Sequence, residues 1–401
     1  LQDRVVGSVA VRVVAAGLTA FALIGAAPAA ASVFRVDRFD DSRDAVAGDG
    51  RCADEAGRCS LRAALSEAAA GAVTAVELPA GTYEIEATLE LPAGLRLAGA
   101  GPASTVIAPG PGFPTAPTPG RIVSAAQPGE PAVLSGLTLD GRGMAAGIAV
   151  ERGASLQLRS LFIRNAQSDD DGAGLRAEGN VVAVGVSIVD NVSKGKRARG
   201  GGMLLQGAAA ALTDVAILGN RGGAAGGMFV RGGTVRAERL QIVGNIGAVG
   251  YQQNPESSME LAGSWFGDTR SPTGRRRPDC RDSGGDRIGA TADSFISHGG
   301  NRIDVAGPPD ERGPDSDLFC GPAVAGDRFG IDLTATESAW RHVTDAVGLV
   351  RAEPVAAQAV AGAVVGVDES GRSTHPRWWP LVAAAAGIAV VALVLRSRRP
   401  G

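Results

Sequence analysis

The sequence predicts an all-β chain wound as a parallel β-helix, and three observations predict it. An apolar phrase recurs as Leu137-Thr138-Leu139, Leu161-Phe162-Ile163, Val186-Ser187-Ile188, Val215-Ala216-Ile217 and Leu240-Gln241-Ile242, starting at intervals of 24, 25, 29 and 25 residues. Between its copies runs a second phrase, Gly147-Ile148, Gly174-Leu175, Gly202-Met203 and Gly227-Met228, spaced 27, 28 and 25. The segments around both are short and alternate apolar with polar residues, and runs with a helical period are absent. A repeat of this length cannot bury a core alone, so its copies must stack. Propeller blades need about 40 residues and four strands each, and fit less well.

The composition agrees. Of 401 residues 45% are hydrophobic, yet only 4% are aromatic and 58 are glycine, so the core is one of Val, Leu, Ile and Ala between tight turns. Thirty-nine basic against 42 acidic side chains leave a formal charge of -3, which supplies no bulk attraction to nucleic acid.

Taken in order, residues 34–39 alternate as a first strand, and the acidic, Gly-rich stretch 40–57 reads as loop. Ser60 can cap a helix carrying Leu61, Leu65 and Ala69 on one stripe and ending at Gly71, suited to covering the open end of a β-helix. Short strands follow at 73–78, 83–85, 95–97, 105–107 and 121–124, punctuated by Gly and Pro, with 109–119 extruded as a loop. From 137 to 245 the rungs are regular. Asn191, Asn220 and Asn245 each fall three positions after the second apolar residue of their phrase, and Asn165 two after. Asparagine tolerates the left-handed conformation, so Asn165, Asn191, Asn220 and Asn245 are expected to form a stacked ladder of turn amides. Regularity breaks after Gly250. Residues 251–293 are expected as a long loop, residues around 295–303 as a last rung, and 304–376 as a C-terminal extension and stalk.

Both ends read as membrane signals. Arg4 and Arg12 lead into the apolar stretch 13–27, and Ala29 and Ala31 fit the small positions of a cleavage site before Ser32, so 1–31 is expected to be a signal peptide. Trp378, Trp379 and the uncharged run to Leu395, closed by Arg396, Arg398 and Arg399, read as a transmembrane anchor at 378–395 with a cytoplasmic tail at 396–401. The expected protein is exported and membrane-anchored, its body extracytoplasmic. Four cysteines, Cys52, Cys59, Cys280 and Cys320, then favour two disulfides. Three pairings are possible, the local one being simplest, and a four-thiolate zinc site is the rival although no short CxxC spacing is present.

The hexapeptide Cys59-Ser60-Leu61-Arg62-Ala63-Ala64, with Phe34, Asp37, Asp40, Asp41, Asp49, Gly50, Cys52 and Glu67, resembles the CSLREA domain, with Ala63 standing where that motif has Glu. The resemblance covers residues 33–71. It implies a bacterial surface protein in which a cap module precedes right-handed, pectate-lyase-like β-helix repeats, here 73–303. It also implies a Cys52–Cys59 pairing and structural roles for Arg62 and Glu67, and the motif itself brings no enzymatic activity with it.

No catalytic or metal-ligating set stands out, and no cofactor is expected. His298, His342 and His375 form no recognisable constellation, and the Gly-rich stretches recur as turns rather than as a nucleotide fingerprint. A ligand surface is instead drawn from Asp169, Asp170, Asp171 and Asp190, the basic residues Lys194, Lys196 and Arg197 beyond them, and Arg275, Arg276 and Arg277. The expected function is a non-enzymatic adhesion, binding or scaffold module. Its partners are the membrane through 378–395 and a glycan or envelope-protein ligand, with no nucleic acid. The alternative is a polysaccharide lyase or glycoside hydrolase acting on an extracellular polysaccharide in a groove of the same flank.

Overall fold

A computed structural model describes residues 33–115, 120–254, 256–275, 277, 279–282, 295–303 and 328–329. They form an all-β, right-handed parallel β-solenoid with one N-terminal helix. Each turn contributes to three faces. Face 1 stacks Val33–Arg35, Ala75–Leu78 and Arg96–Gly99 on the leading halves of the long strands Ala132–Asp140, Ser155–Arg164, Asn180–Val189 and Ala209–Leu218, followed by Thr234–Glu238, Ser258–Ala262 and Phe295–Ser297. Face 2 begins with Gly81–Ile85 and Thr105–Pro109, takes the trailing halves of the same long strands, and continues through Gln241–Val243, Trp265–Gly267 and Arg302–Ile303. Face 3 stacks Leu89–Glu90, Arg121–Ala125, Ala146–Val150, Leu175–Ala177, Met203–Gln206, Ala225–Arg231, Val249–Gln253 and Cys280–Asp282.

The repeated phrases are the inner columns. Leu137, Leu161, Val186 and Val215 share one register, Leu139, Ile163, Ile188, Ile217 and Ile242 a second, and Ile148, Leu175, Met203, Met228 and Tyr251 a third. All are buried. Like side chains meet like because parallel strands in register repeat every 4.7–4.9 Å or so. Between faces 1 and 2 the chain turns on one left-handed residue per rung, namely Gly136, Ser160, Gly185, Asp214, Arg239 and Gly263.

The turn from face 2 to face 3 shifts the expected asparagine pattern by one place. The left-handed residues are Asn165, Asp190, Gly219, Gly244 and Asp268, and the buried asparagines come one position later. Asn220 Oδ1 accepts from the Asn191 backbone N–H at 3.0 Å and from Asn191 Nδ2 at 2.9 Å, and Asn245 Oδ1 accepts in the same way from Asn220 at 2.9 and 3.1 Å. Asn165 lies outside this ladder: it is exposed, and its Nδ2 donates to Asp140. Ala166 holds the ladder position in that rung, and its N–H donates to Asn191 Oδ1 at 2.8 Å. A one-residue change of phase moves a side chain from the interior to solvent, which is why Asn165 does not stack with the others. The glycine of the second phrase faces this ladder. A Cβ on Gly202 would lie 2.7 Å from Ile217 Cγ2 and 2.8 Å from Asn220 Nδ2, and Gly174 and Gly227 meet the same pair of neighbours in their own rungs.

The upper end is closed by the helix Leu61–Ala69, whose N-cap Ser60 accepts from the Ala63 N–H at 3.0 Å. Leu61, Ala64, Leu65 and Ala68 join the solenoid core. Cys52 and Cys59 are disulfide-bonded. Arg62 grips Asp41 with both Nε and Nη2 at 2.8 and 2.7 Å. The Glu67 side chain has no accessible area, though it lies close to the protein surface, and it accepts the amides of Gly48 and Gly50. Burial works to raise its carboxyl, but those amides and Asp44 outweigh it and hold the group below its ordinary value. Cys280 is also disulfide-bonded; Cys320 lies outside the described residues.

Two expectations are corrected. Residues 251–282 are not a loop: Val249–Gln253, Ser258–Ala262, Trp265–Gly267 and Cys280–Asp282 build a further rung. Met259 and Leu261 alternate inward over only five residues, between Pro255 and Gly263, too briefly to register as a pattern. A fold with a C-terminal transmembrane helix is also withdrawn, and with it the membrane as partner and the membrane-anchored location. Among the described residues no helix is long and apolar enough to cross a membrane, and residues 378–395, like 1–31, 304–327 and 396–401, lie outside them.

Candidate functional site

The solenoid varies most where face 2 passes to face 3. Residues 219–224 separate those faces in one rung, whereas 165–174 and 190–202 do so in the two rungs before it and are longer. These two segments brace one another. Gln167–Ser168 pairs with Val192–Ser193. Ser193 Oγ accepts from the Ala173 N–H at 3.2 Å, Asp171 Oδ1 from the Arg199 N–H at 2.8 Å, and the Arg199 carbonyl from the Gly172 N–H at 3.1 Å.

Together with the outer side of face 3 they enclose a depression of about 430 Å³, lined by Asp169, Asp170, Asp171, Arg176, Arg197 and Gln206 among others. Asp169, Asp170 and Arg197 are exposed, and Asp171 is half-buried. Arg176 rises from the floor and is paired with Glu178 at 2.6 Å, which raises the guanidinium's pKa and lowers that of the carboxyl. Arg121 lies three rungs before Met203–Gln206, its Nη1 donating to the carbonyls of Gly172 at 3.1 Å and Ile148 at 3.4 Å. Burial, with the nearby charge of Arg176, pushes its pKa down to about 10, so it remains a cation at neutral pH. The site therefore sets a run of carboxylates against two guanidinium groups, with Arg121 bonded to the backbone of Gly172 beside them.

The expected ligand surface is thus brought together only in part. Asp169, Asp170, Asp171 and Arg197 share the depression. Lys194 and Lys196 are exposed on the same protruding segment but do not line it. Asp190 lines a second depression, about 480 Å³, with Asp140, Arg142, Asn165 and Gln167. Burial raises the Asp190 carboxyl, while Asp140 accepts from Arg164 Nε at 2.9 Å, from Asn165 Nδ2 at 3.1 Å and from the Arg142 N–H at 3.0 Å. Arg275 and Arg277 occupy the equivalent turn three rungs further along; Arg276 lies outside the described residues. Among the described residues no three His, Cys, Asp or Glu side chains are grouped to hold a metal ion. Sequence reasoning missed Arg121, Arg176 and Gln206, since a polar residue alternating outward on a strand is what any solvated face displays.

No protein-family model matches the chain, and no curated protein matches it. Among solved structures it is similar to the A-module of mannuronan C-5 epimerase AlgE4 from Azotobacter vinelandii, at 16% identity over 68% of this chain and 87% of that one, with a TM-score of 0.33. It is similar too to the A-module of AlgE6 from the same organism, at 15% identity over 74% and 98% with a TM-score of 0.30. The Dettilon tailspike protein matches at 11% over 74% and 68%, with a TM-score of 0.33. At these levels the likeness concerns the β-solenoid and does not single out the CSLREA family. Two of the similar structures are mannuronan C-5 epimerase modules, and the expectation of a non-enzymatic adhesion or scaffold module is withdrawn.

Proposed function

We propose that this chain is a polysaccharide-active enzyme, a lyase of an extracellular uronate-bearing polymer, working in the depression between face 3 and the two protruding segments. The observation that carries the reading is the gathering of Asp169, Asp170 and Asp171 with Arg176 and Arg197 in one depression, with Arg121 held on the adjacent Gly172 carbonyl. In such a site guanidinium groups hold the sugar carboxylate and stabilise the charge that develops as the C5 proton departs. A carboxylate of the run takes that proton, the C4–O bond breaks with its electron pair leaving on oxygen, and a C4–C5 double bond forms. A second reading is hydrolysis at the neighbouring depression. Asp140 and Asp190 lie about two rungs apart there, roughly 9–10 Å along the stack, close to the upper end of the separation of about 6.5–9.5 Å that inverting hydrolases use, and burial favours the protonated form of Asp190.

The full chain incubated with polygalacturonate, polymannuronate and a neutral galactan distinguishes these readings. Ultraviolet-absorbing unsaturated ends released from a uronate polymer, and lost in Asp169→Asn/Asp170→Asn, are the expected result. New reducing ends without unsaturation, abolished by Asp190→Asn, would move the chemistry to the second depression. No product from any polymer would overturn both.

The finer organisation is part of the same proposal. Residues 33–71 serve as a CSLREA-like cap on a β-helix of 73–303, supported by the Cys52–Cys59 bond and by the contacts of Arg62 and Glu67. Disulfides and the leader-like stretch 1–31 support export to an oxidising compartment.

A further inference from the structure

On the outer side of face 3 the row that begins at Arg176 continues through Leu204, Phe229 and Gln252, one residue per rung in register. Leu204 lines the first depression, so Phe229 stands one rung beyond it. Arg231 likewise follows Gln206, another lining residue. Two guanidinium groups lie over the Phe229 ring: Arg199 Cζ is 4.9 Å from its centroid and Arg231 Cζ 5.5 Å. Among the described residues neither arginine has a carboxylate partner.

A guanidinium held over an aromatic face keeps N–H groups for a ligand, and its fork suits bidentate capture of a carboxylate or sulfate. Two further atoms say more. Arg199 Nε is buried with no acceptor, and Gln252 Oε1 is buried with no donor, on a side chain only 8% exposed. Buried polar groups in proteins are almost always satisfied, and here one needs an acceptor and the other a donor. An anion without hydroxyls, such as sulfate, would answer only the first. A sugar bearing both an acidic group and hydroxyls answers both.

We propose that Arg199, Phe229, Arg231 and Gln252 form a subsite for an acidic sugar residue, extending the depression by one to two rungs along the solenoid axis. The subsite rests on the reading of face 3 as the polymer-binding flank, but its binding role is separable from cleavage. It requires the substrate to carry charge on a sugar beyond the one that reacts, so affinity should rise with the number of acidic residues.

The test is calorimetric titration of the full chain with size-defined oligogalacturonates, sulfated galactan oligosaccharides and neutral galactan oligosaccharides, for the native protein, Arg199→Gln/Arg231→Gln and Phe229→Leu. The double variant is expected to bind the preferred acidic oligosaccharide about tenfold or more weakly, with a shallower salt dependence and unchanged affinity for the neutral one. Whether oligogalacturonate or the sulfated chain binds tighter identifies the anion. Unchanged affinity in the double variant overturns the subsite. Loss of binding in the double variant, with no product released by any form, sustains the subsite while the lyase reading falls. Equal KM values for product release by native protein and double variant sink the subsite and spare the lyase. Should the double variant fail to fold, Arg231→Gln decides alone, since that side chain is exposed: a loss of the same sign supports the subsite and none overturns it.

Discussion

Replacing Asn220 by alanine tests whether the buried amide ladder holds the solenoid together. The Asn220 side chain accepts from the Asn191 N–H and Nδ2 and donates to the carbonyl of Ile188 and to Asn245 Oδ1, at 3.0, 2.9, 2.9 and 3.1 Å. After truncation Asn191 Nδ2 keeps Ile163 and Asn245 Oδ1 keeps the Asn220 backbone amide, but the Asn191 N–H loses its acceptor. One stranded buried donor costs about 1–3 kcal/mol and the three other lost bonds about 1 kcal/mol each, so Asn220→Ala should cost about 4–6 kcal/mol. The matched control is Asn165→Ala. It removes one exposed bond to Asp140 and places alanine in a left-handed site, which costs about 1–2 kcal/mol. Urea midpoints followed by tryptophan fluorescence, with hydrogen exchange at the Asn191 amide, compare the two. If Asn220→Ala costs no more than Asn165→Ala, or leaves that amide protected, the ladder is not the stabilising element described here.

Three further substitutions probe other parts of the fold. Gly202→Ala drives a methyl against Ile217 and Asn220 and should cost about 1–3 kcal/mol by overpacking, read as a lower urea midpoint. Glu67→Gln removes an acceptor from the Gly48 and Gly50 amides and should cost about 1–3 kcal/mol at neutral pH. Because the folded carboxyl lies below its ordinary 4.5, the wild-type advantage is present above that pH and fades as the pH falls through the lowered value. Asp44, raised by burial and by Glu67, contributes with the opposite sign, so melting temperatures across the acid range should show a smaller slope difference than Glu67 alone implies. Asp190, also raised by burial, should titrate above 3.8 in carboxyl carbon spectra. Its contribution to stability is present at low pH and lost as the pH rises through the raised value, so Asp190→Asn should melt no lower than wild type at neutral pH.

The stacked architecture was legible because a solenoid writes its cross-section into the sequence once per turn, and inward columns tolerate little besides Val, Leu, Ile and Met. The helix was legible because Ser60 and the stripe Leu61–Leu65 are local signals. What was lost depended on phase or on distance. Asn165 and Asn191 read alike, yet the first takes the left-handed corner and the second the buried place beside it. Asp41 meets Arg62 across 21 residues that no spacing rule connects. Phe229 sits between inward Met228 and Val230 in an unbroken apolar run, so nothing marked it as facing outward between two arginines.

Chemistry and stability also divide within a single rung. Asp171 is already committed: its Oδ1 holds the Arg199 amide, and the Arg199 carbonyl in turn holds Gly172. It thereby fixes the relative position of the two segments that wall the depression, and it fixes the backbone from which Arg199 reaches Phe229. Asp169 and Asp170 are exposed. The acidic run therefore divides into one residue bonded to the neighbouring segment and two exposed ones, to which the proposed lyase reading assigns the proton transfer. Because the positioning residue also sets the arginine of the outer subsite, a change at Asp171 reaches both the depression and the row beyond it, while changes at Asp169 or Asp170 stay local. A solenoid is suited to this arrangement. Its inner columns fix the rung spacing, and segments lengthened in two adjacent rungs then become a wall whose distance from the neighbouring subsite is set by the stack.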